Sequence, residues 1–208
     1  MNWNIIDKTK TKQPEVGKYS DWKTNLAEEG ANRCVYCAIK DTRLGGIRNF
    51  HVEHYKPKSL FPDLTNIILN LFYACPICNV FKSDDWHEPT GNLDSIYYPD
   101  PSIFDYSDLF KLQDDGTLVG LNKSGTYIIT KLGLNRNQLL IDRHFNMLLN
   151  SYEYIKEEFR QVRDQLIELN TAGSKAMLSK LVTAFDVVID KKDQMYEAVP
   201  YEMKDTKK

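Results

Sequence analysis

Two pairs of cysteines constrain this chain more than any other feature of its sequence. The 208 residues contain four cysteines, arranged as two C-x-x-C pairs, Cys34 with Cys37 and Cys75 with Cys78. Each C-x-x-C turn presents two sulfurs to one ion, and a tetrahedral zinc ion takes four thiolates. Four unrelated buried cysteines and a redox-active pair are the alternatives, but a redox role leaves the second pair unexplained. The sequence therefore predicts one structural zinc ion that ties together the ends of a 37-residue intervening segment.

Composition and hydropathy exclude several classes of protein. Apolar and aromatic residues make up 42% of the chain, which is enough for a packed core and argues against disorder. No stretch approaches the roughly 18 consecutive apolar residues that a membrane-spanning helix needs. Residues 1–12 are polar and lysine-rich, and they lack the apolar stretch of a secretory signal. We therefore expect a cytoplasmic protein, in which reduced cysteines bind metal rather than form disulfides.

The net charge of −2 hides an asymmetry along the chain. Residues 1–82 contain 12 lysines and arginines against 8 acidic residues, whereas residues 83–208 contain 15 against 21. The basic part is suited to phosphate groups, although an ordinary solvated surface has a similar charge.

Chain breakers and apolar spacing predict short elements in the first two thirds of the chain. We expect a helix over residues 21–29 that ends at Gly30, and a strand over residues 48–54. Residues 84–124 predict a loop-rich insertion with a hairpin around residues 114–116. A short helix over residues 125–132, with Gly133 as its C-cap, follows.

The last third of the chain predicts two long helices. Asn135 is the expected N-cap of the first, with Gln138 in the capping-box position, and apolar residues recur at helical spacing as far as Leu169. Residues 171–173 break this helix, and a second helix over residues 175–189 is expected to pack back on it. The apolar stripe is too broad for one short helix to cover, which indicates association with a protein partner or with a second copy of the chain.

These elements define five predicted segments. They are a polar, mobile lead-in and short helix (1–30), a zinc-stapled core (31–90), a loop-rich extension (91–134), a helical region (135–190) and a polar tail (191–208).

The segment between the cysteine pairs carries the residues suited to catalysis. Glu53 and His54 place a carboxylate beside an imidazole. The carboxylate can hold a divalent ion while the imidazole takes a proton from water near neutral pH. The amide of Asn79 adds a neutral oxygen ligand that suits Mg²⁺. Lys58 and Lys82 are suited to phosphate oxygens. These are the parts that hydrolysis of a phosphodiester requires.

His51 is a further candidate at this site. It lies two residues before Glu53, so on a strand its side chain shares a face with that carboxylate. It is either a third metal ligand or, more commonly for such a position, a packing residue.

The order C-x-x-C, [DE]-H-x-x-P, N-x4-C-x-x-C-N-x-x-K resembles the zinc-containing HNH endonucleases. The resemblance covers about fifty residues, from Cys34 to Lys82. It implies an α+β fold with a ββα-metal core, in which two antiparallel strands and a helix surround a catalytic Mg²⁺ or Mn²⁺ ion. It further implies that His54 is the general base and that Asn70 orients the loop and this base. The implied protein ligands of the metal ion are Glu53 and Asn79. The family more often has Asp at the position of Glu53.

A second resemblance lies downstream. Residues 116–120 and residues 128–136, which end in Leu-Gly-Leu-Asn-Arg, resemble a bacterial subgroup of the same family. This subgroup includes the HNH subunit of Septu-type anti-phage systems, which works with an ABC-type ATPase. The resemblance implies a defence role with such a partner, although Leu-x-Leu-Asn-Arg is also an ordinary start to a helix.

Three functions therefore compete. The first is a metal-dependent endonuclease acting on DNA, and the second is a zinc-stapled module that binds nucleic acid without cleaving it. The third is a nuclease acting chiefly on RNA, because a metal-centred phosphodiester site need not distinguish the two sugars. The complete set Glu53, His54, Asn70 and Asn79 favours catalysis, since a binding module does not need all four.

Overall fold

The fold is known from a computed structural model that describes residue 3 and residues 5–197. The chain divides into two units, residues 1–143 and residues 144–208, and the boundary falls inside a long helix. Strands and helices are both present, so the predicted mixture of α and β structure is confirmed. The last eleven residues of the predicted polar tail lie outside the described part of the chain.

Two short antiparallel strands and a helix occupy the centre of the first unit. Strand β1 (His51–His54) pairs with β2 (Leu71–Ala74), with His51 opposite Ala74 and His54 opposite Leu71. Helix α2 (Pro76–Lys82) follows β2 directly, and Pro76 suits its first turn because the missing N–H is not needed there. The strand predicted over residues 48–54 is shorter than expected, because residues 47–49 form a 3₁₀ turn.

The N-terminal segment packs against this centre. Trp3 and Ile6 are buried, and the Trp3 indole Nε1 donates to the carbonyl oxygen of Tyr36 at 3.0 Å. Lys8 pairs with Glu29 at 2.5 Å near the end of helix α1 (Lys23–Glu29). The expectation of a polar, mobile lead-in was therefore wrong as far as packing is concerned. The two apolar side chains that anchor the segment belong to a short stretch, residues 3–6, that is too short to show a periodic pattern.

A hairpin and a short helix complete the first unit. Strand β3 (Phe110–Leu112) pairs with β4 (Leu118–Gly120) around Gly116, which has a φ of 83°, so the predicted hairpin is confirmed. Helix α3 (Lys123–Lys131) follows, and Gly133 just after it adopts the left-handed conformation expected of a C-cap glycine.

The predicted cap of the long helix was wrong. Helix α4 (Asn137–Leu169) begins two residues after Asn135. The amide of Asn135 instead accepts from the backbone N–H of Leu118 at 2.8 Å and donates to its carbonyl at 2.9 Å. These two bonds satisfy the backbone N–H and carbonyl of Leu118 in strand β4. Because the Asn135 side chain makes this tertiary contact, it is not used to cap helix α4.

The second unit is an antiparallel pair of helices. It consists of α4 from residue 144 onward and helix α5 (Ala172–Glu197), which extends beyond the predicted end at residue 189. The ring of Phe185 stacks on Phe159 with centroids 4.1 Å apart, and on Tyr152 at 6.3 Å. The predicted packing of the second helix back onto the first is therefore confirmed.

No helix among residues 3 and 5–197 combines the length and apolar character that a membrane span requires.

Candidate metal centre and cleft

The four cysteines meet at one point beside the two-stranded sheet. Their sulfurs lie within 4.8 Å of one another, and all four side chains are buried. The first pair lies on a turn in which Ala38 adopts a φ of 56° and donates its N–H to the carbonyl of Cys34. The second pair opens helix α2, where the sulfur of Cys75 accepts from the backbone N–H of Cys78 at 3.4 Å.

The geometry of these sulfurs fits a tetrahedral metal ion. Cys37 Sγ lies 3.8 Å from Cys75 Sγ, which is too far for a disulfide. Sulfurs at the corners of a tetrahedron, each about 2.3 Å from a central zinc ion, are separated by about 3.8 Å. Four thiolates packed together without solvent would repel one another, and a divalent cation between them offsets that repulsion. The four cysteines are therefore positioned to hold a metal such as zinc.

Strand β1 and helix α2 bring the predicted catalytic residues to one cleft. The cleft has a volume of about 570 Å³ and is open to solvent. Its wall includes His51, Glu53, His54, Asn79 and Lys58, which are drawn from β1, the loop after it and α2.

Glu53 is held by a buried cation. Its Oε1 lies 2.8 Å from Lys82 Nζ and accepts from the Tyr36 hydroxyl at 3.1 Å. Burial raises the pKa of Glu53 above its ordinary value, although the charge and hydrogen bond of Lys82 and the hydrogen bond of Tyr36 oppose this shift. Both contacts use the same carboxylate oxygen. The carboxylate is thus fixed in place at the floor of the cleft.

The assignment of Lys82 to phosphate needs correction. Its side chain is 0% exposed, and besides Glu53 its ammonium donates to the carbonyl oxygen of His54 at 3.0 Å. Lys82 is also absent from the cleft wall. It sits on the inward face of α2, one turn after Cys78, which the sequence pattern alone did not separate from an outward-facing lysine. Lys58, in contrast, is exposed on the cleft wall.

The His54 ring is fixed from two sides. Its Nε2 lies 3.0 Å from the carbonyl oxygen of Thr65, and the Tyr19 ring packs against it in a T-shaped pair with centroids 4.8 Å apart. Burial lowers the pKa of His54 below its ordinary value, and the charges of Lys58 and Lys82 act in the same direction. The imidazole is therefore a neutral base at physiological pH.

His51 and Asn79 lie together at the mouth of the cleft. The Asn79 side-chain nitrogen is 3.2 Å from His51 Nδ1. His51 shares the face of β1 that carries Glu53, as expected from alternation along a strand. The three candidate ligands of a catalytic ion, Glu53, His51 and Asn79, thus line one cleft, and the last two are in direct contact.

Asn70 lies behind the cleft and pins the loop after β1. Its Oδ1 accepts from the backbone N–H of Lys56 at 2.8 Å, and its Nδ2 donates to the carbonyls of Lys56 at 3.0 Å and Leu64 at 3.3 Å. Asn70 therefore supports the segment that contains Thr65, the partner of His54, and does not itself face the cleft opening.

Comparison with protein-family models identifies this region. Residues 34–85 match the family described as HNH endonuclease. The HNH endonuclease domain contains all four cysteines, both strands of the central sheet and every candidate catalytic residue named above. A search among curated proteins gave no match. The domain suggests a nuclease that hydrolyses phosphodiester bonds, and it implies a nucleic acid substrate and the use of divalent metal.

Part of the cleft wall lies outside the HNH endonuclease domain. Tyr19, Ser20 and Lys23 come from the turn before α1 and from its start. Lys23 donates to the carbonyl of Phe50 at 2.9 Å, which fastens this turn to the residue before β1. Sequence reasoning missed these three residues because no motif marks them. The feature of the sequence that could have indicated them is Tyr19 between Lys18 and Lys23, in the basic part of the chain.

Proposed function

We propose that this protein is a metal-dependent endonuclease that cleaves DNA with His54 as its general base. The observation that carries the proposal is the His54 imidazole, which lines an open cleft beside Glu53, His51 and Asn79 and is tied at Nε2 to Thr65. Such a cleft supplies a base, candidate metal ligands and a surface cation within one site.

The hydrogen bond of His54 decides which nitrogen acts as the base. A backbone carbonyl only accepts, so Nε2 carries the proton and donates to Thr65, and Nδ1 keeps its lone pair. Nδ1 then takes the proton of the attacking water. Because burial lowers the pKa of His54, the lone pair is available at neutral pH. Tyr19 and Asn70 support this arrangement, the first by packing on the ring and the second by holding the loop around Thr65.

Glu53 and Asn79 are the proposed ligands of the catalytic ion, and His51 is a third candidate. Carboxylate and amide oxygens suit Mg²⁺ or Mn²⁺, and such an ion neutralises the charge that develops on the phosphate and the leaving oxygen. Lys82 orients Glu53 from below, and Lys58 offers its ammonium to a phosphate oxygen of the bound strand. Zn²⁺ is the proposed ion at the four cysteines, where it is structural. In this proposal residues 31–90 form the ββα-metal nuclease core.

Plasmid cleavage tests the proposal. Purified protein is incubated with supercoiled plasmid in Mg²⁺, Mn²⁺ or EDTA, alongside His54→Ala and the matched control His87→Ala, which removes an exposed histidine outside the cleft wall. We expect cleavage with Mg²⁺ or Mn²⁺, none with EDTA, and a loss of about 10²- to 10⁴-fold for His54→Ala alone. A folded, zinc-loaded His54→Ala protein that cleaves at the normal rate would remove the assignment.

Two alternatives are separated by the same assay. A module that binds nucleic acid without cleaving it shifts DNA in a gel but leaves it intact with every metal. A nuclease acting chiefly on RNA degrades a single-stranded RNA faster than a DNA of the same sequence. The set of His54, Glu53 and Asn79 in one cleft favours cleavage over binding alone.

The wider role that we propose is anti-phage defence in the cytoplasm together with an ABC-type ATPase, as in Septu-type systems. Its support is the resemblance of residues 116–120 and 128–136 to that subgroup. The helical region predicted over residues 135–190 is the proposed attachment site for the ATPase or for a second copy. Its helix pair has an apolar groove within the second unit, lined by residues such as Ile155 and Val188. Co-expression with an ATPase from a neighbouring gene and light scattering test both possibilities, and a strictly monomeric chain with no bound ATPase contradicts them.

A further inference from the structure

Arg136 contacts the four-cysteine cluster from outside the HNH endonuclease domain. Its NH2 nitrogen lies 3.9 Å from the sulfur of Cys37, 3.7 Å from that of Cys75 and 3.8 Å from that of Cys78. Its NH1 nitrogen lies 3.8 Å from the same sulfur of Cys78. One guanidinium therefore covers the triangular face of the cluster formed by three of its four sulfurs, opposite the Cys34 corner.

The chemistry of the two groups is complementary. Four thiolates around one divalent zinc ion carry a net charge of −2, and this charge is buried among apolar residues. A buried net charge is costly unless a counter-charge lies close by, and the guanidinium is always protonated. It also offers five N–H donors and no acceptor, so it fits sulfurs that are anionic. Hydrogen bonds to such ligands stabilise a metal site from its second coordination layer.

The same guanidinium is anchored to the end of helix α3. NH1 donates to the carbonyl oxygens of Leu132 at 3.2 Å and of Gly133 at 3.3 Å. Carbonyls at a helix C-terminus lack partners within the helix and favour a nearby cation. Arg136 thus joins the sulfur cluster to the turn between α3 and α4.

The residues around Arg136 in the sequence make this placement possible. Leu132 and Leu134 are 0% exposed and fix the turn in the core, and Asn135 is bonded to strand β4. Gly133 has a φ of 56°, and a Cβ at this position would lie 3.0 Å from the ring of Phe81 in α2. Glycine adopts this φ without strain, and it lets the turn approach the helix that carries Cys78 without displacing Phe81. All five residues of the Leu-Gly-Leu-Asn-Arg motif therefore contribute to bringing Arg136 onto the sulfurs.

We propose that Arg136 is the counter-cation and cover of the metal–thiolate cluster, retaining the zinc ion and shielding three of its sulfurs. Through its bonds to Leu132 and Gly133 it also couples metal loading to the turn before α4. This role is independent of whether the cleft cleaves DNA.

Zinc release tests the proposal without any nuclease assay. Wild type, Arg136→Gln, Arg136→Lys and the control Arg160→Gln, which alters an exposed arginine of α4, are purified with zinc and challenged with a chromogenic chelator. We expect Arg136→Gln to bind zinc about 10- to 100-fold more weakly than wild type, because partners of metal ligands contribute to affinity at this level. Arg136→Lys keeps the charge but loses the planar set of N–H donors, so its zinc affinity is expected to lie between those of wild type and Arg136→Gln. Arg160→Gln is expected to behave as wild type.

Cobalt loading provides a readout that does not depend on Arg136→Gln being soluble. Hydrogen bonds to thiolate ligands change the energy of the sulfur-to-Co²⁺ charge-transfer band, so Arg136→Lys should shift that band while retaining the d–d bands of a tetrahedral site. Folded Arg136→Gln with wild-type zinc affinity would overturn the proposal. If Arg136→Gln does not fold, Arg136→Lys with both the wild-type affinity and an unshifted band would overturn it.

Discussion

Lys82 Nζ lies 2.8 Å from Oε1 of Glu53, and both side chains are buried, with Glu53 at the floor of the cleft and Lys82 behind it. The buried ammonium of Lys82 holds Glu53, a candidate metal ligand, in position, and a bound substrate cannot contact this ammonium. An ion pair of this kind contributes little net free energy, since two charges lose their hydration, but breaking it leaves one buried charge without a partner.

The first prediction concerns this pair. Lys82→Met should lower the free energy of unfolding by about 3–5 kcal/mol, because Glu53 then stays buried without its cation. Glu53→Gln combined with Lys82→Met should be more stable than Lys82→Met alone, since the charge is gone. Lys58→Met, at an exposed lysine, should change stability by at most about 0.5 kcal/mol. Urea unfolding at a fixed zinc concentration measures all three, and a double variant no more stable than Lys82→Met would contradict the prediction.

The second prediction concerns the cysteines. Cys75→Ser should abolish stoichiometric zinc and lower the melting temperature, because structural zinc contributes to the free energy of folding and Cys75 also caps helix α2. Elemental analysis and thermal unfolding measure the two effects. Wild-type protein that is soluble, folded and free of zinc after purification would be incompatible with this prediction.

The third prediction concerns pH. Protonation of His54 removes the base, and burial lowers its pKa below the ordinary value of 6.5, so the midpoint of the acid limb of kcat should lie below pH 6.5. The Lys58 charge contributes to the lowered pKa, so Lys58→Met should move the acid limb of kcat toward higher pH. Lys111→Met, at an exposed lysine of strand β3, should leave the limb unchanged. Values of kcat measured at saturating Mg²⁺ from pH 5 to pH 8 test this prediction. An acid limb that moves to lower pH in Lys58→Met would contradict it, because the Lys58 charge would then not lower the pKa of His54.

Local sequence signals predicted much of the fold. The hairpin at Gly116, the cap at Gly133 and the meeting of the four cysteines follow from turn chemistry and ligand spacing, which act over a few residues. The burial of Trp3 and the bond of Asn135 to Leu118 were not foreseen, because each depends on a contact between segments far apart in the chain.

The candidate site was likewise predictable where it depends on residue type and not where it depends on long-range packing. The residue types at positions 53, 54 and 79 already indicated metal-assisted hydrolysis, and the structure brings them to one cleft. The direction in which Lys82 points was not predictable, since it depends on the tertiary packing of α2 against β1. The hydrogen bond from His54 to Thr65, which selects the reactive nitrogen, depends on the course of an irregular loop.

The last prediction concerns Tyr19, which the family match does not include. Its ring forms a T-shaped pair with the His54 ring, with centroids 4.8 Å apart, and its hydroxyl accepts from Lys58 Nζ at 3.2 Å. Ring pairs of this geometry are worth about 0.5–1.5 kcal/mol, and about 1.4 kcal/mol corresponds to a tenfold change in rate. Tyr19→Ala should therefore lower kcat by up to about tenfold, because His54 loses the contact that fixes its orientation.

Tyr19→Phe separates the ring from the hydroxyl. It keeps the packing on His54, so kcat should remain near wild type, while KM for DNA should rise because Lys58 loses the partner that directs its ammonium along the cleft. Tyr154→Ala, at an exposed tyrosine in α4, is the matched control and should change neither constant. Steady-state kinetics on a labelled duplex measure kcat and KM for the three variants. Wild-type kcat for a folded Tyr19→Ala protein would show that His54 does not depend on Tyr19, and the N-terminal turn would then be a wall of the cleft without a part in positioning the base.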